Sequence, residues 1–197
     1  MRVAMVRPTP QVDGLDPERL EATMDAMDAN ASMADFTYRA RNSWVDGART
    51  RTMLGDYEGM GGSHLRPRPF VLLSDEPDAL LGQDRGASPT EHALHALAAC
   101  LTRTLVYLAA ARGIELHEVN TSVEGTFDTR RLFGVGGTDA SGVRELRVGF
   151  DVKGHATPED LAELTRLAPR HSPMYGLFVN PTEVTITAKR ATGAPAS

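Results

Sequence analysis

The stretch from Ser88 to Gly113 limits what this chain can fold into more than any other part of it. It reads as one long helix with a defined start, a defined stop and an apolar face. Ser88, Pro89 and Glu91 fall at the N-cap, first and third positions of that helix. The serine hydroxyl and the glutamate carboxylate can therefore each bind the other residue's backbone N–H, and the proline stands where its missing N–H costs nothing. The helix is expected to run to about Arg112, with Gly113 as its stop. Leu94, Leu97, Leu101, Leu105 and Leu108 recur at three- and four-residue steps and make one stripe that must be core. A leucine-rich helix flanked by small residues needs more cover than one chain of 197 residues readily provides, so a homodimer is expected.

Shorter elements surround it. Two prolines and Gly14 within residues 8–16 read as a loop or flexible arm. Asp16 then looks like an N-cap, with Pro17 at the first helical position and Leu20, Met24 and Met27 on one apolar face of a helix through Asp28. From Asp35 the pattern shifts to period two, with Phe36, Tyr38 and Ala40 alternating against polar residues. A run at Trp44 and Val45 and a second from Arg49 to Leu54 flank Asp46-Gly47, a strong hairpin signal. Trp44 reads as an aromatic cap on that hairpin, and Met24 and Met27 as core contacts. Pro69 to Leu73 supplies a third strand. Val119–Phe127 and Leu146–Val152 alternate as two strands that should pair across a Gly-rich connection, Gly134 to Gly142. Thr157 and Asp160 open a further helix through Leu167, a short helical turn follows Ser172, and Thr182–Ala188 reads as a last strand before a frayed tail beyond Arg190. Strands in blocks around two helices, without regular strand-helix alternation, indicate an α+β fold. Three segments result: an arm with a short amphipathic helix (1–34), one domain (35–190) and a flexible tail (191–197).

With a net charge of -5 and no cluster of Lys or Arg, the chain lacks the electrostatic footprint of a nucleic-acid binder. The opening Met1–Arg7 is too short and too charged for a secretory leader, and no run is expected to approach the roughly 18 apolar residues of a membrane span. Cys100 is the only cysteine, which excludes an intrachain disulfide and fits a reducing, cytoplasmic setting.

Ser88-Pro89-Thr90-Glu91 running to Ala98-Ala99-Cys100, with Ala111-Arg112-Gly113 after it, resembles the central helix of the OsmC-like family (osmotically inducible protein C and the organic hydroperoxide resistance proteins). Pro169-Arg170-His171-Ser172-Pro173-Met174-Tyr175 resembles that family's second motif, in which a cysteine usually precedes the proline. The order of elements over residues 35–190 also agrees. The resemblance implies antiparallel sheets packed around long central helices in an intertwined homodimer, with both subunits contributing to each active site. It also implies reduction of organic hydroperoxides: a cysteine thiolate attacks the peroxide, becomes a sulfenic acid, and is resolved by the second cysteine before a dithiol restores the pair.

This chain departs from that pattern in two places. Ser172 stands at the second cysteine's position, and a hydroxyl cannot form the disulfide, so turnover would need an external thiol. The family's glutamate directly after the helix proline is Thr90 here. Glu91 is displaced by about 100° on the helix and is better read as the capping-box partner of Ser88. The arginine that the resemblance draws from the hairpin is Arg49 or Arg51, alternate residues on one face of a strand that also read as solvated. Helix geometry puts Ala93, Ala96, Thr104 and Tyr107 on the face of Cys100, where small neighbours admit either another helix or a pocket. Cys100 is too far along the helix for the dipole to lower its pKa much. His171 comes near the thiol if the second motif folds over it, and as a cation it would favour the thiolate.

The remaining candidates are weaker. His92 and His95 stand three apart without a third ligand at a recognisable spacing, so no metal site is assigned. His171 and Ser172 are adjacent and point apart, which disfavours a hydrolytic pair. Gly134, Gly136 and Gly137 lack the Lys-Ser/Thr of a phosphate loop and read as a hairpin loop. No cofactor is expected. Two functions remain: a one-cysteine organic hydroperoxide reductase in oxidative stress defence, with nucleophile Cys100, or a non-catalytic protein that binds a small apolar or acyl ligand in the dimer-interface pocket.

Overall fold

A computed structural model describes residues 14–137 and 142–189. The readings of Met1–Arg7, of the arm up to residue 13 and of the tail after Arg190 lie outside the described residues, as does the middle of the Gly134 to Gly142 connection. Helix α1 (Pro17–Ala29) begins as expected, with the Asp16 carboxylate accepting the N–H groups of Glu18 and Arg19. The half-buried Leu20, Met24 and Met27 lie along one side of it.

Strands β1 (Ala40–Asp46) and β2 (Arg49–Leu54) form the hairpin announced by Asp46-Gly47, and the Trp44 indole donates to the Gly47 carbonyl at 3.0 Å. The period-two pattern at Phe36 and Tyr38 does not belong to this strand. Both rings instead stack with Tyr57, at 6.4 and 5.5 Å between centroids. Tyr57 opens β3 (Tyr57–Gly59), which turns through Met60 and Gly61, both at positive φ, into β4 (Gly62–His64). The sequence reading overlooked this small hairpin. Its turn belongs to the class that needs left-handed residues at both central positions. Strand β5 (Phe70–Ser74) pairs with β2 to complete an antiparallel sheet in the order β1-β2-β5.

Helix α2 (Pro89–Ala110) carries the expected capping box: Glu91 accepts the Ser88 N–H at 2.7 Å, and the Ser88 hydroxyl accepts the Glu91 N–H at 3.2 Å. Its last helical residue is Ala110, and the turn beyond it closes at Gly113, whose φ of 70° suits glycine. Strands β6 (Leu116–Phe127) and β7 (Val143–Gly154) pair along their whole length. Helix α3 (Pro158–His171) continues past the expected end at Leu167, through Pro169, and α4 (Pro173–Val179) follows after the single residue Ser172.

The core lies where α2 packs on β6, α3 and α4. Leu97, Leu101, Leu105 and Leu108 of the stripe are buried there with Leu116, Leu164 and Leu167. Leu94 is only half-buried and stands outside this cluster.

Two expectations are corrected. Helix α2 is long and apolar enough to cross a membrane by length and composition, contrary to the sequence estimate. Its leucine face is nevertheless occupied by protein, as in the core helix of a globular domain. Thr182–Ala188 forms no strand. It pairs with no strand among the described residues, and Val184 is 73% and Ile186 88% exposed. Alternation marks a residue's fitness for a sheet, but a strand also needs a neighbour for its hydrogen bonds, and this segment has none among the described residues.

Candidate active site

Cys100 sits on α2 with its side chain facing the junction of α3 and α4, and it is 6% exposed. The junction has a local cause. Pro173 disfavours helical geometry at the residue before it, so Ser172 leaves the helix (φ -92°, ψ 113°) and becomes the N-cap of α4. Its hydroxyl accepts the Tyr175 N–H at 3.1 Å and donates to the Cys100 sulfur at 3.2 Å. The two residues are 72 apart in sequence and both buried. Cys100 and the position of the missing second cysteine are therefore neighbours.

Other donors complete the surroundings of the sulfur. Arg103, one turn further along α2, places Nη2 at 3.5 Å from Sγ, and the Met174 N–H at the start of α4 also donates to it. Thr104, buried, donates to the Cys100 carbonyl at 2.8 Å and also assists the thiol. Burial pushes the thiol pKa up. The Ser172 hydroxyl, the Met174 N–H, the Arg103 charge and Thr104 pull it down and prevail, so the thiol is held below its ordinary value. The acidifying groups come from i+3 on the same helix and from a helix that arrives later in the chain.

Because Cys100 is the only cysteine, its titration can be followed by alkylation without interference. The pH midpoint of iodoacetamide modification is expected to be lower in the folded protein than in urea, and Ser172→Ala should move it upward by removing the strongest hydrogen-bond donor. A midpoint unchanged by Ser172→Ala would mean that the hydroxyl does not stabilise the thiolate.

The remaining expected residues are distributed as follows. Ala96 is half-buried one turn before Cys100, and Tyr107 is exposed two turns after it. His171 ends α3 and is exposed, whereas its neighbour Ser172 is buried, and no contact joins it to Cys100 among those that surround the sulfur. Arg49 and Arg51 stand on β2, where they line a cavity of about 610 Å³ with Trp44, Leu73, Asp75 and Arg85, and Arg49 is paired with Asp46 at 2.9 Å. Among the described residues, the guanidinium at the thiol is that of Arg103. Its i+3 spacing from Cys100 was the signal that could have found it. Glu91 is engaged by Ser88, which holds its carboxyl below the usual range. His92 meets the Leu73 carbonyl at 3.3 Å and so ties α2 to β5.

Residues 82–187 match a family model described as OsmC-like protein. The fold is similar to that of an OsmC-like protein from Mycoplasma pneumoniae, at 17% identity and a TM-score of 0.55, over 72% of this chain and 86% of that one. It is also similar to a putative osmotic stress induced and detoxification response protein from Psychrobacter arcticus 273-4, at 15% identity and a TM-score of 0.53, over 72% and 88% of the two chains. A third similar structure is an organic hydroperoxide resistance protein OsmC from Legionella pneumophila, at 16% identity and a TM-score of 0.51, over 72% and 90%. No curated protein matches the chain.

Proposed function

The chain belongs to the OsmC-like family, and on that footing we propose that it reduces organic hydroperoxides with Cys100 as its only redox-active residue. One observation carries this reading. A buried sulfur is surrounded by the Ser172 hydroxyl, the Met174 N–H and Arg103, and is thereby kept readier to ionise than burial alone allows. The Cys100 thiolate attacks one peroxide oxygen, the S–O bond forms as the O–O bond breaks, and the departing alkoxide takes a proton and leaves as an alcohol. The sulfur is oxidised by two electrons to the sulfenic acid, and the hydroperoxide is reduced. Ser172 cannot resolve that species. An external thiol attacks the sulfenic sulfur, water departs, and a second thiol releases Cys100 from the mixed disulfide while the two reductant sulfurs join.

A homodimer in the cytoplasm accompanies this reading. Phe70, Val71 and Leu73 of β5 are exposed, as are Val184 and Ile186, and these apolar side chains suit cover by a second copy. Sedimentation as a monomer at micromolar concentration would remove the dimer from the proposal while leaving the thiol chemistry in place.

The test of the reaction is consumption of cumene hydroperoxide with excess dithiol, beside Cys100→Ser. Turnover is expected in the parent protein and only background in the variant. The second reading is binding of a small apolar or acyl ligand without catalysis. It draws on the 6% exposure of Cys100 and on the serine at the resolving position. A folded parent protein that turns over no faster than Cys100→Ser would favour it.

A further inference from the structure

Away from the cysteine, the start of β6 and the end of β7 bring together Glu115, His117 and His155, whose ligand atoms all lie within 4.8 Å of one another. The backbone explains why they meet. Leu116 pairs with Gly154 and Glu118 with Lys153, so His117 is the extra residue of a bulge, the device by which a strand redirects a side chain. A Cβ at Gly154 would stand 2.5 Å from the Glu115 carbonyl oxygen and 2.7 Å from Leu116 Cα, so this close approach needs glycine. The next residue, His155, donates its N–H to the Glu115 carbonyl at 2.9 Å, which fixes its backbone beside the glutamate.

We propose that Glu115, His117 and His155 bind a divalent transition-metal ion of the zinc type. His155 Nδ1 lies 3.2 Å from one Glu115 carboxylate oxygen, and His117 Nδ1 lies 3.9 Å from the other. Ligands at about 2.0–2.1 Å around a tetrahedral ion stand roughly 3.3–3.4 Å apart; the His155 contact already has that spacing, and because the two histidines face different oxygens, binding by one Glu115 oxygen needs the exposed carboxylate and the His117 side chain to rotate toward each other. An ordinary ion pair would need only one histidine. Here the second imidazole stands edge-on to the first at 5.0 Å between ring centroids. Two nitrogens and one carboxylate suit zinc, copper or nickel and do not suit magnesium or calcium, which take oxygen ligands. The nearby Glu118 is occupied by Lys153 at 2.6 Å and Asn120, so the fourth position is left to water. The ion would fasten the end of the β6–β7 hairpin opposite its connecting loop.

Isothermal titration of the tag-free protein with Zn²⁺ tests this. One ion per chain is expected, with affinity at least about tenfold weaker in Glu115→Gln, His117→Ala and His155→Ala, and retained in His92→Ala and His95→Ala. Zn²⁺ should also raise the melting temperature of the parent protein and not that of the His117→Ala/His155→Ala double variant, and Mg²⁺ should raise neither. No binding at millimolar Zn²⁺ would overturn the proposal, as would equal binding by the double variant, which would place the ion at Cys100 or on unrelated carboxylates. All three residues are exposed, so the variants are expected to fold, and their circular dichroism verifies this.

Discussion

Ser172→Cys is expected to close a disulfide with Cys100 when the protein is treated with one equivalent of organic hydroperoxide, and both thiols should disappear together. The two side chains already touch, Oγ to Sγ at 3.2 Å, and a disulfide requires about 2.05 Å between sulfurs. A sulfur replacing that hydroxyl therefore has about an ångström to travel, across a contact that the α3–α4 junction holds in place. Cys100 sulfenic acid would lose water to the new thiol without waiting for an external one. Dithiol-dependent turnover should therefore rise above that of the parent, and the parent's need for a resolving thiol should vanish. The change also weakens the cap on Tyr175 N–H, which costs about 0.5–2 kcal/mol, so Ser172→Ala is the stability control. Two free thiols after hydroperoxide treatment of folded Ser172→Cys would mean that the junction does not hold this position against α2, and would count against the site as described.

Leu105→Ala is expected to be the most damaging single truncation of the core. Leu105 is 0% exposed in the C-terminal third of α2, within the cluster that joins Leu101, Leu108, Leu164 and Leu167. Removing three carbons there loses apolar burial and leaves a cavity, together about 2–5 kcal/mol. Against a total stability of about 5–15 kcal/mol, that is a large fraction. Urea denaturation measures it, with Leu94→Ala as the graded comparison. Leu94 belongs to the same sequence stripe but is only half-buried, so its loss should be smaller. Equal losses at the two positions would indicate that Leu94 is covered in the assembled protein, in keeping with a partner subunit.

The contrast between Leu94 and Leu105 illustrates how far the sequence could be read. Periodicity placed both on one face and could not say which end of that face would be roofed by α3 and α4. The capping boxes at Ser88 and Thr157, the Asp46-Gly47 hairpin and the pairing of β6 with β7 were all legible, because each depends on residues close in sequence or on one alternating pattern meeting another. Phe36 and Tyr38 do flank a β-paired residue, but Thr37 bridges Glu58 of β3 instead of continuing β1, and alternation alone does not name the partner edge. Thr182–Ala188 was misread because its pattern says nothing about whether a partner edge is present.

By itself the sequence determined a long capped helix with one cysteine, an α+β arrangement around it, and, through its second motif, a serine where the OsmC-like resemblance calls for a thiol. Tertiary structure alone decided which groups from other elements meet that thiol. Arg103 stands three residues on along the same helix, within reach of the spacing, but the Met174 N–H comes from a helix start about seventy residues later. Glu115, His117 and His155 meet only because a bulge and Gly154 bring two strands close. Caps and periodicities are set by hydrogen bonds and burial within a few residues and so are written locally. A site assembled from separate elements depends on how those elements pack, which no spacing along the chain records.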